Sequence, residues 1–337
     1  MNNYTVYHLH TEDSLLDSCT NYKLYVDRAV ELGQKSIAFT EHGNIYNWVS
    51  KYLYCKSKGI KYIHGIECYL TETLDKEIRD NYHTILIAKN INGFKEINRL
   101  YKLSTQKDHT YYKPRLTFDE FLNISDDVIK ISACLQSPLN KFYKSIKQQE
   151  SDNNIIQQDR RDMFIKLLEH YDYYEIQYHN IDEQIEFNQF LYDMSCSYEK
   201  PLIVGTDTHN LNQYKAECRT ILQYGKTDGV WGDSENECDL TYKTYDELVD
   251  EFKEQNSLPM DIILQAIENT NIMADSVEEL SFDRNNKYPL LYGDKDEEVL
   301  WQVLRDKYQE KLERGEITDS QEYIDNICLL FKEKTGR

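Results

Sequence analysis

The chain has 337 residues, 40% of them apolar, which is enough for one large domain or for one domain with an appendage. A formal net charge of −20 excludes a broad basic face for a phosphodiester backbone, so phosphate chemistry must draw on bound cations or a few local Lys and Arg residues. Eight cysteines without a single C-x-x-C pair argue against a zinc ribbon or a disulfide framework and for reduced thiols in a cytoplasmic setting.

No basic-then-apolar leader follows Met1, and no apolar run approaches the length of a membrane span. Residues 4–10 are β-branched and aromatic and predict a strand. Alternation puts Tyr4, Val6, His8 and His10 on one face and Thr5, Tyr7 and Leu9 on the other. A polar turn holding Asp17 precedes a helix over 22–32, stopped by Gly33. A buried strand over 36–39 delivers Thr40-Glu41-His42-Gly43 at its carboxyl end. After a helix over 45–57, a strand over 61–69 carries Glu67, and the run 83–88 opens with His83. A helix over 94–103 leads to a loop with Tyr111-Tyr112-Lys113-Pro114-Arg115. The strand 128–132 is followed by Cys134, and the polar stretch 148–161 reads as an exposed helix or linker. A strand over 173–178, a helix over 183–198 and a strand over 202–206 follow, the last ending in Asp207-Thr208-His209. Beyond residue 222 the chain is helical and charged, with helices over 260–274 and 297–313.

Strands alternating with helices predict an α/β fold with a largely parallel sheet. In closed α/β barrels the chemistry sits at the carboxyl ends of the strands. His42, Glu67, Cys134, Asp207 and His209 all fall at or just beyond such ends, the pattern of one shared site. With His8, His10, Asp17 and His83 they make nine candidate ligands, whose imidazole, carboxylate and thiolate groups suit zinc, manganese or iron. Nine groups exceed the needs of one ion, so two or three divalent ions are expected, with Glu67 or Asp207 as a bridge. Such ions polarise a phosphoryl oxygen and acidify water. Singly, each residue has a blander reading: Asp17 as a helix cap, His83 as a core histidine, Cys134 as an inert buried thiol. Jointly, that reading needs nine coincidences at strand ends. Lys113 and Arg115 are candidates to hold a phosphate, with solvated loop charges as the equal alternative. His64, His109, His170 and His179 receive no role.

His8-Leu9-His10-Thr11, Ser14-Leu15-Leu16-Asp17, Thr40-Glu41-His42-Gly43-Asn44, Gly65-Ile66-Glu67-Cys68-Tyr69, Tyr82-His83, Ser132-Ala133-Cys134-Leu135 and Asp207-Thr208-His209 together resemble the motifs of the PHP (polymerase and histidinol phosphatase) family. The subgroup most similar is the PHP domain that opens bacterial DNA polymerase III alpha subunits. Tyr111-Tyr112-Lys113-Pro114-Arg115 and Tyr224-Gly225-Lys226-Thr227 resemble further signatures of it. The resemblance implies a distorted (β/α)7 barrel over 1–222, with a helical C-terminal segment over 223–337 like the region preceding the polymerase palm. It also implies a trinuclear site whose nine ligands fall on the same nine residues. Glu41 stands where the family usually has Asp, and Gly205-Thr206 where the subgroup usually shows Thr-Asn.

No Asp-x-Asp polymerase motif on a strand is visible, so the chain is not expected to polymerise DNA by itself. The function expected from the resemblance is a metal-dependent phosphoesterase, foremost a 3′–5′ exonuclease proofreading DNA ends in replication, beside a separate polymerase polypeptide. The alternatives are a small-molecule phosphomonoesterase of the histidinol-phosphatase type and a non-catalytic, metal-stabilised scaffold for a polymerase chain.

Overall fold

A computed structural model describes residues 3–151, 158–226, 238–283, 285, 291–318 and 320–335. The chain divides into two units, Met1–Ser281 and Phe282–Arg337. In the first, β1 (Ser36–Phe39), β2 (Lys61–Thr71), β3 (Tyr82–Ala88), β4 (Thr110–Tyr111), β5 (Lys113–Thr117) and β6 (Val128–Ile131) make a six-stranded sheet. A separate parallel pair is formed by β7 (Tyr174–Ile176) and β8 (Leu202–Val204). The intervening helices are α1 (Tyr22–Glu31), α2 (Trp48–Lys58), α3 (Ile91–Ser104), α4 (Phe118–Leu122), α5 (Pro138–Ser151), α6 (Gln158–His170) and α7 (Asp182–Tyr198). Their ends follow local chemistry. Gly59 closes α2 at φ 70°, Asn90 caps the first amides of α3, and Thr117 and Glu120 form a reciprocal capping box on α4.

The α/β class stands, but the strands do not form one closed sheet. Single bridges join Val6 to Ile37, Ile131 to Tyr173 and Leu9 to Thr208, linking the two sheets and the N-terminal segment. The strand expected over 4–10 is therefore an extended segment held at two points. The backbone bends at His8, which breaks the expected alternation: Tyr7 and His8 both reach Glu175.

The sheet is also less parallel than expected. Strand β3 runs antiparallel to both β2 and β6, because residues 72–81 connect β2 to β3 without the helix that a parallel crossover requires. The short strands β4 and β5 take the place of the expected loop at 111–115, and Pro114 precedes Arg115, the first residue of β5 paired with β2.

Tyr7, Ala38, Ile63, Ile85, Ile87, Ile129, Ile131 and Ile203 fill the core, together with Met273 and Ala274 of helix α10 (Met260–Ser276) and Val277 just beyond it. Thr270 Oγ1 accepts from the Thr5 amide at 2.9 Å, and Asn269 Nδ2 donates to the Leu202 carbonyl at 2.7 Å. Helices α8 (Gln213–Lys226), α9 (Tyr245–Gln255) and α10 thus belong to the first unit. The expected boundary at 222/223 falls inside α8, while the division into compact units falls at 281/282. The second unit carries α11 (Asp296–Glu313) and α12 (Gln321–Thr335), whose Tyr308 and Tyr323 rings lie 5.9 Å apart. Among the described residues no helix is long and apolar enough to cross a membrane. All eight cysteines are free thiols.

Candidate metal centre

The backbone brings the nine residues together from different directions. Just past β1, His42 bridges to Glu67 on β2, and the Gly43 amide donates to the Glu67 carbonyl at 2.8 Å. A Cβ at Gly43 would lie 2.8 Å from both Pro114 Cγ and Tyr69 Cε2, so only glycine permits this close turn, with φ 62°. His83 opens β3. Because that strand is antiparallel, its first residues lie level with the carboxyl end of β2, Tyr69 facing His83 in register. Cys134 follows β6, and Asp207 and His209 follow β8. Leu16, Ala133 and Asp207 hold left-handed φ angles of 62°, 62° and 43°. Such conformations are costly for residues with a Cβ and gather at functional sites.

The donor atoms converge. Glu67 Oε1 lies 2.8 Å from His83 Nδ1 and 3.6 Å from His8 Nε2. Its Oε2 lies 2.5 Å from His42 Nδ1 and 3.4 Å from His10 Nε2. Asp207 Oδ1 is 3.0 Å from His8 Nε2 and 3.3 Å from His10 Nε2. Asp17 Oδ2 lies between His42 Nε2 (2.9 Å) and His209 Nε2 (3.2 Å). Cys134 Sγ is 3.6 Å from His83 Nδ1. Three trios keep their donor atoms within 4.8 Å of one another: His8, His10 and Asp207; His10, His42 and His209; His42, Glu67 and His83. Asp17 and Cys134 fall outside these trios but touch their members.

Despite the short distances, much of this set is off hydrogen-bonding geometry. His8 Nε2, His10 Nε2, His42 Nδ1, both carboxylate oxygens of Glu67 and Asp207 Oδ1 are buried without a hydrogen-bond partner among the described residues. Six orphaned polar atoms in one place would cost several kcal/mol if nothing met them. Imidazole nitrogens and carboxylate oxygens facing a common centre fit divalent cations of the zinc, manganese or iron type.

The electrostatics state the same demand. Burial opposes the charge of Glu67, but His83 and His42 hold its carboxyl well below the ordinary range. Burial likewise opposes Asp207, and His8 and His209 overcome it. Burial would drive His42 down, yet Glu67 and Asp17 lift it to about 10. Burial, His42 and His209 press His10 down to about 3. Burial, Asp207 and Glu67 push the Cys134 thiol up; a coordinated cation reverses that preference and takes a thiolate. The buried carboxylates require positive charge nearby, which cations supply while leaving the imidazoles neutral.

Supporting residues absent from the sequence reading hold the candidates in place. Glu175, in the middle of β7, accepts from His8 Nδ1 at 2.8 Å, Tyr7 Oη at 2.9 Å and Gln177 Nε2 at 2.7 Å. This fixes the His8 tautomer with Nε2 free toward the centre. A Cβ at Gly205 would stand 2.1 Å from Glu175 Cδ, so glycine there makes room for the carboxylate. Arg219 donates to Asp17 Oδ1 (2.7 Å) and to its carbonyl (2.6 Å), and Gln223 adds a bond at 3.2 Å. An Arg and a Gln four apart on one face of α8 were the available signal. Glu41 accepts from the Thr11 amide and hydroxyl, from Ser14 Oγ and from Lys51 Nζ at 2.6–3.0 Å. Ser14 Oγ in turn lies 3.0 Å from His10 Nδ1, so Glu41 steadies a candidate ligand through Ser14.

Lys113 is exposed, and its Nζ donates to Tyr69 Oη at 3.1 Å, with the Tyr69 ring 5.3 Å from His83. Arg115 is fully buried beneath Tyr111 and donates to the Ile78 carbonyl at 2.8 Å. It is therefore no exposed loop charge. Of the Tyr224–Thr227 motif, Thr227 lies outside the described residues.

A PHP domain model matches residues 7–179. The DNA polymerase III subunit alpha of Aquifex aeolicus is 30% identical over 339 residues, covering 95% of this chain and 29% of that protein. Its counterpart from Borreliella burgdorferi is 30% identical over 221 residues, covering 64% and 19%. The chain thus spans less than a third of the length of these curated relatives. Among solved structures, a candidate metal-dependent phosphoesterase from Bifidobacterium adolescentis aligns at TM-score 0.40 and 12% identity, over 62% of this chain and 89% of that one. Endonuclease Q in complex with a 27-mer duplex bearing an abasic lesion aligns at 0.39 and 16%, over 64% and 51%.

Proposed function

This chain belongs to the PHP domain family, and from that premise we propose that it is a metal-dependent phosphoesterase whose nine clustered residues hold two or three divalent cations. The observation that carries the reading is the set of six buried, unpartnered donor atoms from His8, His10, His42, Glu67 and Asp207. Bound there, divalent cations supply the positive charge that a phosphoryl group requires and lower the pKa of water. The chain's own part is to fix the donors. Glu67 and Asp207 each face two or more imidazoles and would be the carboxylates placed to serve more than one ion; Asp17, clamped by Arg219, closes the side toward His209, and Cys134 the side toward His83. The single bridges between the sheets are read as the seams of a distorted seven-stranded barrel.

The substrate class we favour is a DNA 3′ end, cleaved as a 3′–5′ exonuclease beside a separate polymerase polypeptide in the cytoplasm, on the strength of the alpha-subunit relatives. A small phosphomonoester is the second reading, favoured by the net charge of −20 and by a rim where Arg115 is sealed away and Lys113 is exposed. Full-length protein loaded with manganese or zinc is assayed on single-stranded and mismatched oligonucleotides and on a histidinol-phosphate-type monoester. Nucleotide release in preference to monoester turnover is the expected result. Preference for the monoester installs the second reading, and no turnover of either by metal-loaded protein, with or without a polymerase partner, leaves only a scaffold.

A further inference from the structure

His179 follows β7 at the end where the other candidate residues gather. Strands β7 and β8 pair with Ile176 opposite Val204, and the pairing continues as the Gly205 amide donates to the Ile176 carbonyl at 3.0 Å. Carried on at the same offset, His179 comes level with Asp207. Alternation puts it on the face of Glu175 and Gln177, which are joined at 2.7 Å and reach His8. Its backbone is pinned, the carbonyl accepting from Gln255 Nε2 at 2.7 Å and from the Ile181 amide at 3.0 Å. The residue is 6% exposed, and its Nδ1 is buried with no hydrogen-bond partner among the described residues. A ring with one unused nitrogen, level with a candidate ligand, is equipped to hydrogen-bond an anion.

We propose that His179 is a substrate-contacting residue of this centre, its free Nδ1 donating to a phosphoryl oxygen of the ester bound there. The assignment rests on the phosphoesterase reading and adds to it the side of the pocket from which the phosphoryl group is gripped. It serves a nucleic-acid phosphate and a small monoester alike, because the phosphoryl oxygen is common to both.

The test uses the full chain loaded with manganese, with inorganic phosphate as the calorimetric probe and metal content measured by elemental analysis. His179→Ala is expected to keep the wild-type metal content and to lose about tenfold or more in phosphate affinity, the loss that follows removal of one hydrogen bond to a charged group. His179→Asn, whose amide nitrogen can stand near Nδ1, recovers most of it. The same ranking is expected in kcat/KM on a small monoester and on a single-stranded oligonucleotide, whichever is turned over. Unchanged phosphate affinity in His179→Ala overturns the assignment while leaving the phosphoesterase reading intact, and so does loss of metal from that variant. Wild-type protein that holds metal but neither binds phosphate nor cleaves an ester brings down both.

Discussion

Glu41 and His42 are chain neighbours that point into two differently built clusters of buried charge. Around Glu41 the protein meets its own demand: both carboxylate oxygens accept from the Thr11 amide and hydroxyl, Ser14 and Lys51. Around His42 it does not, and buried donor atoms of five residues face one another without satisfying one another. Burying a charge is costly unless it is paired, so a cluster closed by protein atoms reads as a strut. One left open reads as a receptacle. Composition alone does not separate the two, since both are mixtures of acids and bases; the geometry of the partners does.

The largest effect expected from breaking this contrast is on the strut. Lys51→Met leaves Glu41 buried and unpaired and should cost about 3–5 kcal/mol in urea unfolding. Adding Glu41→Gln should restore part of that. Burial would raise the Glu41 carboxyl, but Lys51 and His10 bring it down to about 2. A depressed carboxylate contributes stability that is full above its unfolded pKa of about 4.5 and is lost as pH falls toward 2. The Lys51→Met loss should therefore shrink as unfolding is measured between those limits. A Lys51→Met protein of wild-type stability would erase the distinction between the clusters.

Stripping divalent cations from the receptacle comes next. At saturation about a hundredfold above Kd, metal contributes about 2.7 kcal/mol, and its removal should lower Tm by about 5–10 °C, reversed by manganese or zinc. A chelator that leaves Tm unmoved would show that the open cluster holds nothing. The smallest effect belongs to Glu175→Gln, which keeps the shape around Gly205 but weakens the hold on His8. Metal affinity should fall about 10–100-fold, read by competition with a fluorescent chelator, while urea stability of the metal-free chain changes little.

Much of the receptacle was legible from strand ends, because one rule placed His42, Cys134, Asp207 and His209 together; Glu67, expected at such an end, lies inside β2, which runs on to Thr71. His83 sits at a strand start and obeys the same geometry only because β3 runs the other way, a direction the sequence signals through a connection too short for a crossover. Glu175 was hidden because a glutamate inside a run of aromatic and aliphatic residues shows no periodicity of its own, and its clearest clue is the missing side chain at Gly205, far along the chain. Arg219 and Gln223 were hidden for a different reason: on a helix their spacing resembles any solvated face until the helix is docked. The place of α10 in the first unit was hidden for a similar reason. Helix α10 was read correctly as a helix, but its burial against Leu202 and Thr5 is a tertiary fact.

The reversal of β3 has one further outcome. Parallel strands send their connections away from the catalytic end and back, but a reversed neighbour forces its link to rise on the same side as the pocket. Residues 72–81 therefore lie at the same end of the sheet as His83, anchored through Ile78 to the Arg115 guanidinium and through Arg79 to the rings of Tyr111 and Tyr112.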